Sequence, residues 1–121
     1  MRLEGRIDKG WGYELIWATT DQYCGKIMHF NRGAKFSMHF HAHKDESWLV
    51  QSGEFVVRWI DTKTADLHEK ILRAGDTWHN PPLMPHQLVC YEAGSIIEVS
   101  TADSVEDNHR VLPGDSQRTH G

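Results

Sequence analysis

The sequence has no stretch of ten or more residues with the 3.6-residue apolar rhythm of an amphipathic helix, which excludes helix bundles and doubly wound α/β folds. No apolar run is long enough to span a bilayer, so no membrane partner is expected. The opening residues, MRLEGRIDKGWGYE, lack the apolar region of a signal peptide. Cationic charge is not in excess. Thirteen Lys and Arg stand against 17 Asp and Glu, a formal net charge of -4, which argues against nucleic acid or an anionic membrane surface as partner. Cysteine is scarce. Cys24 and Cys90 have no metal-knuckle spacing and sit in apolar, strand-like runs, so both are expected as buried reduced thiols in a cytoplasmic-type protein. Repeats, linkers and low-complexity segments are also missing.

What the chain does contain is short extended runs punctuated by Gly, Pro and Asp. Its 121 residues suit one domain, residues 1–121, with a core over about 11–101 and a polar tail over 102–121. Residues 1–10 read as a loose lead-in. Strands are expected in WGYELIWATT (11–20), YCGKIMHFN (23–31), residues 35–41, SWLVQS (47–52), EFVVRWID (54–61), LHEKILR (67–73), HQLVCYE (86–92) and SIIEVST (95–101). Gly53 between two close runs suggests a tight β-turn. TWHNPPLMP (77–85) is too rich in proline to be a central strand along its whole length. Val105, Val111 and Leu112 offer the tail a way to dock, and its last residues are expected to fray. The fold class that follows is all-β, a double-stranded β-helix or jelly-roll barrel.

Nine histidines are many for this length, and their placement gives them meaning. In a strand over 35–41, alternation puts His39 and His41 side by side, with Phe36, Met38 and Phe40 on the opposite face. Glu46 follows five residues later. Two imidazoles and a carboxylate make a facial set for a first-row divalent metal. A small barrel must draw a further ligand from a distant segment, and His86, opening a late strand after the proline-rich turn, is the candidate. His39, His41, Glu46 and His86 suit one divalent transition ion, Zn, Mn, Fe, Ni, Co or Cu, without choosing among them.

These residues resemble the cupin superfamily. Its first motif is a glycine, five residues, His-x-His, three or four residues, Glu, six residues and a glycine, which Gly33, His39, His41, Glu46 and Gly53 match. Its second motif is matched by Gly75, Pro81 and His86, with Leu83 where a glycine is usual and Cys90 where an asparagine is usual. A narrower resemblance, to the cupin domains of mannose-6-phosphate isomerases and their nucleotidyltransferase fusions, rests on Gly10-Trp11-Gly12-Tyr13-Glu14, Tyr23-Cys24-Gly25-Lys26, HFHAHKDESWLVQSGE, and Ile97-Glu98-Val99-Ser100-Thr101 followed by an acidic tail with Arg110. In those proteins glutamine often stands in place of His39, and the nucleotidyltransferase part is absent here. The resemblance implies a jelly-roll barrel with a metal at the four residues named, and a sugar-phosphate-like ligand.

Lys26 and Glu98 are charged residues in otherwise apolar strands. Either their faces point into the barrel, where the charges must be paired or near the metal, or they lie on an exposed sheet face. Arg58 and Gln51 are weaker candidates of the same kind. His43 reads as a solvated loop residue and His79 as a surface one, while Trp11, Trp17, Trp48, Trp59 and Trp78 read as core or interface aromatics. Three functions are compatible with this set. The first is a metal-dependent isomerase or epimerase of a small polar substrate such as a sugar, with Glu98 and Lys26 as catalytic groups. The others are a dioxygenase using iron, copper or manganese, and a non-catalytic sugar-binding protein. A homodimer is expected, with the N-terminal aromatic strand as a candidate contact.

Overall fold

The computed structural model describes residues 5–102 and 104–117, except the side chains of Val105 and Gln117. Among the described residues, eleven strands form two facing antiparallel sheets. In chain order they are β1 (Gly5–Lys9), β2 (Gly12–Thr19), β3 (Tyr23–Phe30), β4 (Met38–Phe40), β5 (Glu46–Val50), β6 (Glu54–Ile60), β7 (Leu67–Arg73), β8 (Thr77–Asn80), β9 (His86–Glu92), β10 (Gly94–Thr101) and β11 (His109–Leu112). The six-stranded sheet runs β1-β2-β3-β10-β5-β8 and the five-stranded one β11-β4-β9-β6-β7. The all-β jelly roll expected from the sequence is therefore the fold. Among the described residues no helix is long and apolar enough to cross a membrane.

Strand alternation decides what each sheet buries. On β10 the inward positions are Gly94, Ile96, Glu98 and Ser100, all buried. Ile96 lies opposite Met28 and Val50, Glu98 opposite Lys26 and Trp48, and Ser100 opposite Cys24 and Glu46. Across the barrel, Phe55 lies opposite Cys90 and Leu72, Val57 opposite Leu88, and Trp59 opposite His86. One end of the barrel is thus an apolar plug around Phe30, Phe55, Leu72, Cys90 and Ile96. The other end carries the polar inward residues. Cys24 and Cys90 are both buried, and burial, reinforced by Glu92, pushes the Cys90 thiol up to about 11.

Several elements differ from the sequence expectation. Residues 5–9 are not a loose lead-in but a strand, paired with β2 through a two-residue connection at Gly10-Trp11. β1 is an edge strand whose outward residues meet solvent, so Arg6 and Asp8 are tolerated there. The 35–41 strand is reduced to Met38–Phe40, with a lone bridge from Lys35 to Val89. The reason is the tail. Asp115 accepts from the Lys35 amide at 2.9 Å and donates its own amide to the Lys35 carbonyl at 3.0 Å. Gly114 lies so close to the Phe36–Ser37 backbone that a Cβ there would clash at 2.3 Å. Phe36 consequently turns inward against His39 and His86 instead of opposing the histidines.

The tight turn read at Gly53 does not join a hairpin either. β5 pairs with β10 and β8, whereas β6 pairs with β7 and β9, so the chain crosses between sheets there. β9 and β10 cross in the same way, and the two crossings pack backbone to backbone: a Cβ on Gly94 would lie 2.1 Å from the Ser52 carbonyl oxygen. The tail does dock, but Val111 and Leu112 stay exposed, and pairing of β11 with β4 makes the contact. The expected fraying of the last residues falls on 118–121, outside the described residues, as does the Val105 side chain.

The proline-rich segment behaves as its composition demands. β8 is an edge strand that ends at Asn80, and Pro81 opens the turn leading to His86. In that turn Leu83 adopts φ 73°, the left-handed region that costs a residue with a Cβ about 1–2 kcal/mol. Its amide donates to the His41 carbonyl at 2.6 Å, which holds the conformation in place. Leu83 is exposed, so its side chain returns little packing energy. Leu83→Gly should therefore raise stability by about 0.5–1 kcal/mol after the extra backbone entropy of glycine is subtracted, read as a higher urea midpoint at unchanged slope. A lower midpoint would show that the turn is not strained.

Candidate metal centre

His39 sits on β4, His41 just beyond it, His86 at the start of β9 and Glu46 at the start of β5. His39 and His86 are register partners. One ring nitrogen of each of His39, His41 and His86 comes within 4.8 Å of those of the other two. Glu46 joins them with Oε1, 2.8 Å from Nε2 of His86 and 3.9 Å from Nε2 of His41. The four residues named from the sequence are brought together.

The outer nitrogens show which atoms face the centre. Nδ1 of His86 donates to the Met84 carbonyl at 3.1 Å, and Nδ1 of His41 donates to the Asp107 carbonyl at 2.6 Å. Nδ1 of His39 shares a hydrogen bond of 3.0 Å with the Ser37 hydroxyl. A ring that donates from Nδ1 keeps its lone pair on Nε2 when neutral. Burial, followed by the neighbouring His86 and His41, holds His39 well below the usual imidazole range, and burial lowers His41 as well, so both are neutral. Nε2 of His86 is fully buried and, in the neutral ring, turns its lone pair to a carboxylate oxygen 2.8 Å away. Electron-rich atoms turned toward one another in a buried space fit a cation between them. Three imidazoles and one carboxylate are the donor chemistry of a divalent transition ion.

Lys26 and Glu98 face inward, which settles the choice of face left open by the sequence. Glu98 is 3% exposed; its Oε1 accepts from Trp48 Nε1 at 3.1 Å. Its Oε2 lies 3.3 Å from Lys44 Nζ and 3.8 Å from Lys26 Nζ. Lys26 also pairs with Glu14 at 3.7 Å, and Lys44 with Oε2 of Glu46 at 3.3 Å. Burial and the charge on Glu46 push the Glu98 carboxyl up to about 8, against the pull of both lysines. Burial alone would raise Glu46, but the adjacent His86 imidazole, Glu98 and Lys44 outweigh it, and Glu46 stays ionised. The two carboxyls are driven in opposite directions within one cluster.

These groups line a cavity of about 420 Å³. Its apolar wall is Trp11, Met28, Phe36 and Trp48, and its polar rim includes Lys9, Ser104, Asn108, Arg110 and Ser116. Arg58 and Gln51 are not part of it: Arg58 donates to Gln87 at 3.0 Å and pairs with Glu69, and Gln51 is exposed at a crossing. His43 and His79 are exposed, and His79 pairs with Asp45. Trp11 and Trp48 are buried in the core, Trp59 and Trp78 pack against it, and Trp17 lies outside.

Lys44, Asn80 and Asp107 escape sequence reasoning. Asn80 donates from Nδ2 to Oε1 of Glu46 at 3.3 Å and accepts from Trp78 Nε1. Asp107 ends a 3-10 turn (Val105–Asp107) in the tail. Its carboxylate accepts the amides of Ala42, His43 and Lys44 at 2.7, 3.0 and 3.0 Å, while its carbonyl holds His41. No local pattern in a polar tail marks such a residue. The only hint for Lys44 is its position between His41 and Glu46.

Burial, the largest single influence, raises the Asp107 carboxyl, but the three amides and the charge of His43 together outweigh it and hold the group down to about 2, from 3.8. A depressed carboxyl stabilises the fold above its unfolded pKa, and the benefit disappears as pH falls through the folded value. Asp107→Asn, which sets an NH2 group against amides, should weaken divalent-metal binding about tenfold by freeing His41 and its loop. The metal-free variant should melt below the wild type at pH 6, with the gap closing as pH drops from about 4 toward 2. Calorimetric titration and melting curves measure both, and equal metal affinity in the two proteins would refute the tie.

The cupin domain family model matches residues 26–100. A mannose-1-phosphate guanylyltransferase of Salmonella muenchen is 26% identical over 95 residues, 75% of this chain and 20% of that protein. Among solved structures, the oxalate decarboxylase of Bacillus subtilis, described for its Mn(II) centres, superposes with TM-score 0.77 at 19% identity, over 90% of this chain and 30% of the other. KdgF from Halomonas sp. superposes with TM-score 0.67 at 23% identity, over 78% of this chain and 81% of that one. The chain therefore spans a fifth of the guanylyltransferase and less than a third of the decarboxylase. At these identities the structural likeness is one of fold.

Proposed function

The chain belongs to the cupin family, and on that premise we propose that it is a metal-dependent isomerase or epimerase of a small polar substrate, a sugar or sugar phosphate. The observation that carries this reading is the buried Glu98 carboxyl lining the same cavity as His39, His41 and Glu46. His39, His41, His86 and Glu46 would hold the ion. When bound, it supplies Lewis-acid polarisation of a substrate carbonyl or hydroxyl. Glu98 moves the proton, its carboxyl positioned by Trp48, Lys44 and Lys26 and poised near neutrality. Lys26, inward and paired with Glu14 and Glu98, offers its ammonium to a substrate oxygen. Trp11, Met28, Phe36 and Trp48 exclude water from the cavity wall. The phosphosugar named in the guanylyltransferase is consistent with this substrate class.

Metal analysis and deuterium exchange test the reading together. Purified protein should carry a divalent transition metal, and Glu46→Gln should lower its content. Incubated with sugar phosphates in heavy water, the metal-loaded protein should exchange a substrate C–H proton, and Glu98→Gln should slow exchange at least about a hundredfold at unchanged metal content. Exchange that survives in Glu98→Gln would remove Glu98 from the chemistry. Iron or copper with oxygen uptake, and no exchange, would replace the isomerase by a dioxygenase. Ligand binding with neither would leave a sugar-binding protein.

The expected homodimer contact is proposed at the outer face of the six-stranded sheet. There Leu15, Ile27, Ile97 and Leu49 form one row across β2, β3, β10 and β5. Trp17, which covers Gly25, and Val99 lie in the next row. Trp17, Leu49 and Val99 are exposed, and across β2, β3, β10 and β5 neither row contains Lys, Arg, Asp or Glu; Arg6 on the edge strand β1 ends the first row beside Leu15. Val99→Lys should convert a dimer to a monomer in sedimentation equilibrium. A wild type that sediments as a monomer would discard the contact.

A further inference from the structure

The two oxygens of Glu46 are used differently. Oε1 points to the histidines, 2.8 Å from Nε2 of His86, and also accepts from Asn80 at 3.3 Å. Oε2 points away from them to Lys44, whose Nζ lies 3.3 Å from it and 3.3 Å from Oε2 of Glu98. Lys44 is 5% exposed, so its ammonium has exchanged water for these carboxylates. It cannot retreat readily, because its backbone amide is tied to Asp107 at 3.0 Å in a loop that Asp107 pins at three successive amides.

We infer that Lys44 is a positioning residue that keeps Glu46 a one-oxygen ligand and thereby sets how many positions on the bound ion stay open. The inference rests on the metal reading above. A carboxylate can ligate through one oxygen or both. For Glu46 to use both, Oε2 must swing toward the histidines and leave the ammonium. That would take from Lys44 a buried anionic partner, which is unfavourable for an ammonium 5% exposed. An ion that prefers six ligands and takes four protein atoms keeps two positions free. A second Glu46 oxygen would occupy one of them. The alternative, in which Lys44 only balances the charge of Glu46 against Glu98, predicts no effect on ligation once one carboxylate is removed along with it.

The test uses the full chain loaded with Mn(II). Water-proton relaxation counts exchangeable waters on the ion. The wild type and Glu98→Gln should each hold about two, and the charge-neutral double variant Lys44→Met/Glu98→Gln about one, so its relaxation enhancement should about halve. Lys44→Arg, which keeps a charged donor, should restore the wild-type count. An unchanged count in the double variant overturns the inference. Infrared difference spectra of the wild type on Mn(II) addition need no variant: a widely split pair of carboxylate stretches marks one-oxygen ligation, and a narrow pair overturns the inference even if the double variant fails to fold. Mn(II) binding with the wrong count or splitting removes only the role of Lys44. Failure of the wild type to bind Mn(II), Fe(II), Co(II), Ni(II), Cu(II) or Zn(II) removes the metal reading and this inference with it.

Discussion

The polar half of this barrel is organised around one close approach: a buried imidazole nitrogen and a buried carboxylate oxygen, 2.8 Å apart, which only a proton or a cation between them makes favourable. Two electron-rich atoms do not rest against each other in a low-dielectric interior without something positive to share. Lys44 neutralises the far oxygen of Glu46, and the histidines keep their Nδ1 atoms on carbonyl or hydroxyl partners. Each group nearby is thus turned so that a cation would satisfy what the protein alone leaves unsatisfied. The fold tolerates such a centre because its other half is a dry plug of Phe30, Phe55, Leu72 and Ile96, which can offset the cost of buried charge.

The inward face of β10 shows how the two halves coexist on one strand. Ile96 belongs to the plug, and two residues on, Glu98 belongs to the site, with Ser100 beyond it opposite Glu46. Period-two alternation sends all three inward, and only their chemistry differs. The neighbouring strands repeat the gradient, with Met28 beside Lys26 and Val50 beside Trp48. A charged side chain placed one residue out of step would face solvent instead.

Local periodicity and spacing made much of this legible from the sequence: the all-β class, the approach of His39, His41, Glu46 and His86, and the buried thiols. Elements whose reason lies far along the chain were not. β1 is polar because it is an edge strand, so nothing apolar announced it. The break before β4 and the inward turn of Phe36 depend on Gly114 and Asp115, about eighty residues away. Gly53 has the chemistry of a turn, but whether a turn closes a hairpin or changes sheets depends on which strands lie beyond it. Leu83 stood out as a residue where a glycine would be usual, and its positive φ gives the physical content of that departure.

Asp107 gives the chain a temporal order as well as a spatial one. Its contacts with His41, Ala42, His43 and Lys44 span 63 to 66 residues of sequence. The four residues of the centre lie between positions 39 and 86, so all of them leave the ribosome before the residue that braces His41 does. During synthesis these four residues therefore exist first as an unbraced set. The segment that braces His41 joins them last, so completion of the centre is a late event in the synthesis of the chain, timed by an aspartate that is not itself one of the four.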